Sequence, residues 1–149
     1  MKDSNVFYAN GGGDEQYTPE SGVKILLPHI QHLKDKIIWL PFDKNDSKFV
    51  KVLSNEGFNV INSHIEYGQD FFEYEPDDFW DIQITNPPYS IKDKWLKRSF
   101  EIGKPFALLL PVNALHSVGR CNMFREHGIQ LVIPPKRINF ITPSREGSG

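Results

Sequence analysis

Asp81-Ile82-Gln83-Ile84-Thr85-Asn86-Pro87-Pro88-Tyr89-Ser90 is the stretch whose reading decides the fold. Ile82 and Ile84 alternate with polar neighbours, which is the period of a strand. Two consecutive prolines then withdraw two ladder donors, so pairing has to stop at Asn86. Residues 91–102 follow with helical spacing of their apolar positions. The turn therefore lies between a strand end and a helix start, the place where open α/β sheets take ligands.

Such a turn has a specific chemistry. Proline fixes φ, and the residue before a proline is pushed out of the helical region. The carbonyls around Pro87 and the amide oxygen of Asn86 can thus be held as outward-pointing acceptors. A flat amino group could give both hydrogens to them, and its lone pair, less delocalised, could then attack an electrophilic methyl. Tyr89 offers an aromatic face to a planar base. The plain alternative is a proline-rich turn that only ends a strand.

Asn-Pro-Pro-Tyr after an apolar strand resembles the catalytic motif of the S-adenosylmethionine-dependent amino-methyltransferases, chiefly phage- or prophage-type N6-adenine DNA methyltransferases. The tetrapeptide is the specific part; from Tyr17 to about Phe140 the rest agrees in order and spacing. The resemblance implies a Rossmann-like methyltransferase fold, a three-layer α/β sandwich with a mainly parallel sheet. It further implies S-adenosylmethionine as cofactor and Asn86, Pro87, Pro88 and Tyr89 as the catalytic set. The substrate implied is N6 of adenine in DNA. RNA adenine or a protein glutamine amide are alternatives with the same chemistry, and a shortened, inactive methyltransferase-like binding protein is the non-catalytic one.

Composition bounds these readings. A chain of 149 residues makes one domain, short for a methyltransferase that carries its own target-recognition domain. Its net charge of -2 excludes a strongly basic nucleic-acid clamp, so DNA binding by this chain alone is expected to be weak. One cysteine, Cys121, excludes a disulfide framework and suits a reducing cytoplasm. The longest apolar run, 105–112, is far too short to span a bilayer, so no membrane partner is expected.

Residues 1–15, with Gly11-Gly12-Gly13, read as a flexible arm, 16–142 as the domain and 143–149 as a tail. Tyr17-Thr18-Pro19 opens a helix, with Thr18 placed to cap it and Pro19 in the first turn. By resemblance the same three residues wrap the methionine end of the cofactor. His29 and His32 lie three apart, but no third ligand is evident nearby and no metal site is expected. Residues 37–42 form the first strand, and Ser47 caps a helix running to Gly57. Pro41, Phe42 and Asp43 match the family's cofactor loop, although Lys44-Asn45-Asp46 stands where that loop has Gly-x-Gly. Residues 59–65 form the second strand, with His64 at its end near the expected ribose. Asp70 and Phe71 match the family segment that holds the cofactor's adenine; a turn followed by core aromatics is the other reading.

On the substrate side, Ser90 and Lys92 adjoin the turn, and Lys92 shares a basic helix face with Lys94, Lys97 and Arg98. Residues 106–111 read as a central strand buried on both faces. Asn113 lies in the loop beyond it, on the sheet edge that carries Tyr89. A short helix ends at Gly128, and residues 129–133 read as another strand. Arg137, Asn139 and Phe140 resemble a late family segment lining the target-base pocket. The family's closing strand has no counterpart, so the sheet is expected to lack its last strand. That leaves an edge through which a dimer could pair.

Overall fold

The computed structural model describes residues 17–141. Four short strands form one parallel sheet: β1 (Ile37–Leu40), β2 (Asn59–Asn62), β3 (Ile82–Thr85) and β4 (Phe106–Leu108), in the order β2-β1-β3-β4. Ile38 and Trp39 of β1 lie beside Ile82 and Gln83, and beside Val60 and Ile61 on the other flank. Asp81 aligns the entry to β3 twice over. Its N–H donates to the Ile37 carbonyl at 2.8 Å, and its carboxylate Oδ2 accepts from the Ile37 N–H at 2.8 Å.

Side chains alternate across this sheet, and each face meets its own helices. Ile38, Leu40 and Ile84 pack with the helices α1 (Glu20–Lys24), α2 (Leu27–Ile30) and α3 (Lys48–Asn55), through Val23, Ile30, Phe49, Val52 and Leu53. Trp39 points the other way, into Phe71, Trp80, Trp95 and Leu96 beside α4 (Lys92–Ile102) and α5 (Val118–His127). The result is three layers, helices on both faces of a parallel sheet. Ser47 caps α3 by accepting from the Val50 N–H, and α4 stops at Gly103, whose φ of 75° only glycine adopts without strain.

Several expectations need correction. Residues 129–133 form no strand; Ile129 is 49% exposed and Ile133 84%. Pro134-Pro135 follows, and the chain is drawn back across the domain to an antiparallel bridge between Tyr17 and Ile141. β propensity produces a strand only where an edge and a face are available to it, and here neither is used. β4 in consequence is an outer strand of half-buried residues, not a central one. The first two strands are shorter than expected, because Pro41 and the Ser63-His64 corner end them. The helix begun at Pro19 breaks into α1 and α2 at Ile25-Leu26, just before Pro28 in the first turn of α2, and Thr18 caps neither. The expected arm and tail lie outside the described residues.

Leu53, fully buried between α3 and the sheet, should cost about 2–5 kcal/mol on substitution by alanine. Ile133→Ser should change stability by no more than about 0.5 kcal/mol. Urea denaturation checks both, and a large loss for Ile133→Ser would restore 129–133 to the core.

Candidate functional site

The chain enters the sheet at β1, moves outward to β2, then crosses to the other side of β1 for β3 and β4. Its direction of travel therefore reverses between β1 and β3. The segment after β1 leads to α3 on one face, and the segment after β3 leads to α4 on the other. Two loops that diverge in this way open a crevice at the carboxyl ends of their strands. Pro41-Phe42-Asp43 forms one lip and Asn86-Pro87-Pro88-Tyr89 the other.

The proline turn has few backbone donors and is held by side chains from elsewhere. Asn86 Nδ2 donates to Thr18 Oγ1 at 3.0 Å, which fixes the amide plane, and Asn86 Oδ1 lies out of solvent contact. Trp95 Nε1 donates to the Pro88 carbonyl at 2.8 Å, and Lys92 Nζ to the Tyr89 carbonyl at 3.0 Å. Pro87 is buried. Tyr89 meets Phe140 edge-on, with ring centroids 6.4 Å apart. Sequence reading missed the clamp from Trp95; its place one helical turn into α4, on the buried face, was the available signal.

The β1 loop is rigid for a different reason. Asp43 N–H donates to the Ser63 carbonyl, and its own carbonyl accepts from Asn62 Nδ2 at 3.1 Å. Asn62 Nδ2 also meets Asn45 Oδ1 at 2.8 Å, the Tyr67 hydroxyl accepts from the Asn45 N–H, and Lys44 pairs with Glu66 at 2.8 Å. Where the resembling loop has glycines, this one is tied to the end of β2.

Asp43 itself is buried, 8% exposed, with Oδ2 3.5 Å from Thr85 Oγ1. Burial pushes its carboxyl up from the ordinary 3.8 to about 7, against the opposing pull of the Ser47 and Thr85 hydroxyls. An acid in a loop reads from sequence as solvated, so this dryness had no local signal.

The remaining expected residues fall in three groups. Thr18 and Phe140 reach the turn, Tyr17 and Pro19 flank Thr18 in the chain, Ile138 and Thr18 both crowd Gly22, and the Tyr17–Ile141 bridge adjoins them. Other residues are engaged in local structure. His64 Nδ1 accepts from the Glu66 N–H, Asp70 Oδ1 accepts from the Phe72 N–H at 3.0 Å, and the Asn113 carbonyl accepts from Arg120. Phe71 is a core side chain, 1% exposed, against Trp39 and Phe42. Ser90, Arg137 and Asn139 are exposed. On the basic helix face, Lys97 pairs with Glu101 and Arg98 with Glu75. His29 and His32 are exposed, and no cluster of metal-binding side chains occurs among the described residues. No helix among them is long and apolar enough to cross a membrane.

Arg120, also missed, is buried and reaches Asp93 at 2.7 Å and the Ala114 carbonyl at 2.7 Å, fastening the loop beyond β4 to α4. Comparison of the chain with protein-family models, with curated proteins and with solved structures finds no match in any of the three.

A folded-state carboxyl raised above its unfolded value favours the fold only while protonated. The Asp43 contribution is complete below about pH 4 and is lost as pH rises through 7. Wild type should therefore lose about 2–3 kcal/mol between about pH 5 and pH 8 relative to Asp43→Asn, which cannot ionise. Urea titrations across that range test the difference.

Proposed function

We propose that this chain is an S-adenosylmethionine-dependent amino-methyltransferase acting on N6 of adenine in DNA. The observation that supports it most is the position of Asn86-Pro87-Pro88-Tyr89. The tetrapeptide follows β3 directly, at the reversal of strand order, with its amide plane held by Thr18. A turn that only ended a strand would need neither that position nor that clamp.

The residues of the crevice suit one end of the cofactor. Asp43 offers a carboxyl to a positive charge, and Thr18 and the Asn86 amide offer polar groups beside it. When bound, S-adenosylmethionine supplies an electrophilic methyl. Asn86 Oδ1 and the Pro87 carbonyl would accept the two hydrogens of the target amine and so orient its lone pair. Tyr89, with Phe140 at right angles to it, receives the plane of a base extruded from the duplex, at a cost of about a few kcal/mol. Lys92 and Trp95 keep the turn in register by holding its carbonyls.

A second reading, the binding-only protein, draws on the other end of the crevice. Lys44-Asn45-Asp46 is tied to β2, Asp70 is spent on a turn and Phe71 is buried, so the adenosine portion has no formed seat among the described residues. RNA adenine and a glutamine amide remain substrate alternatives, since the amine-orienting chemistry is common to all three.

Calorimetry with S-adenosylmethionine and its demethylated product comes first, and micromolar binding is expected. Labelled-methyl transfer is then measured on adenine-containing DNA, on RNA and on glutamine peptides, with DNA expected to lead. Asn86→Ala should lower turnover on the order of 10²-fold or more while leaving cofactor affinity within a few-fold. Absence of cofactor binding up to millimolar concentration sinks the enzyme reading and leaves the binding-only protein.

Thr18→Val, which removes the acceptor of the Asn86 amide, should lower kcat more than it raises KM, and Thr18→Ser should restore it. Equal kinetics for Thr18→Val and wild type would overturn the positioning role.

A further inference from the structure

Among the described residues, the crevice between β1 and β3 contains one dry acid, Asp43, and its surroundings do not account for its charge. Asp43 is held by its backbone to Ser63 and Asn62, so the side chain has little freedom to swing into water. Its Oδ2 faces the hydroxyl of Thr85, the residue immediately before Asn86, at 3.5 Å, and the Ser47 hydroxyl at the cap of α3 opposes the upward push of burial on its carboxyl. Both partners are neutral.

The charged groups on every adjoining element are committed elsewhere or turned to solvent. Lys44, next in the loop, pairs with Glu66 beyond β2, and Asp46 is exposed. Lys48 and Lys51 of α3 are exposed, and Lys24 of α1 pairs with Glu20. His64 has its Nδ1 on the Glu66 N–H, and Lys92 of α4 has its amine on the Tyr89 carbonyl. Among the described residues no basic side chain forms an ion pair with Asp43. A buried acid that no side chain neutralises weakens a fold at neutral pH. This one lies where a parallel sheet takes its ligand.

We propose that Asp43 is the counter-charge of the crevice: it takes a positively charged ligand group, and one proton leaves the protein as that group arrives. The carboxyl O–H bond breaks, the proton passes to solvent, and the carboxylate pairs with the cation, so one positive charge enters as another departs. The methyltransferase reading supplies only the identity of that ligand. S-adenosylmethionine carries two candidate centres, an aminium and a sulfonium, whereas its demethylated product carries the aminium alone.

The test is calorimetry of the full chain in two buffers of different ionisation enthalpy, which counts protons released on binding. Wild type with S-adenosylmethionine should release close to one proton at about pH 6 and about half a proton at pH 7, where the free site is itself half ionised. Below pH 7, affinity should fall about tenfold for each unit by which the pH is lowered. Asp43→Asn, isosteric and unable to ionise, should bind at least tenfold more weakly at pH 7 and release no proton.

Release with both cofactor and product assigns the aminium as partner, and release with the cofactor alone assigns the sulfonium. Binding to wild type without proton release, or an equal release from Asp43→Asn, overturns the proposal and leaves the methyltransferase reading standing. If S-adenosylmethionine does not bind, that reading fails, and trimethylsulfonium and methylammonium become the probes. Proton release by either from wild type but not from Asp43→Asn upholds the counter-charge, and none from either overturns it.

Discussion

Two prolines in succession leave the end of β3 without the backbone donors that normally fix a turn, and much of the molecule is arranged to replace them. The indole of Trp95 reaches back from α4 to the Pro88 carbonyl, and Lys92 does the same for Tyr89. Thr18 meets the Asn86 amide from the start of the described chain. A turn stiffened by proline and pinned by three side chains from two segments has little freedom to relax. Its carbonyl acceptors are therefore held in fixed directions.

The apolar core serves the same end. Trp39, Phe71, Trp80 and Trp95 fill the face of the sheet beneath α4, and Trp39 Nε1 finds the Ser63 hydroxyl at 3.0 Å. Gln83, buried on that face, exchanges hydrogen bonds with Ser99 of α4 in both directions. These polar contacts set the register of α4 on β3 where hydrophobic packing alone would tolerate sliding. The helix that carries Trp95 to the turn is thus indexed to the strand that carries Asn86.

Features resting on local chemistry were legible in the sequence. The strand before the prolines, the Ser47 cap, the α4 and α5 helices and the stops at Gly57 and Gly128 all follow from neighbours within a few residues. Features that depend on what is absent or distant were not. Residues 129–133 have the composition of a strand, but no edge receives them. Thr18 has the composition of a cap, but a partner far along the chain claims its hydroxyl. Phe71 could have lain over a ligand, yet the neighbouring aromatics enclose it. Asp43 looks like any loop acid until the ends of β1, β2 and β3 close around it.

The bridge between Tyr17 and Ile141 joins the two ends of the described chain, and it does so beside the proline turn. Contacts between residues so far apart carry the largest loop-closure cost in the domain. On the ribosome the consequence is sharper. The sheet from β1 to β4 can assemble while the chain is still being made, whereas Phe140 and Ile141 emerge after everything they pack against. The crevice therefore passes through a stage in which its turn is built but one wall is missing, and only completion of synthesis through Ile141 closes it.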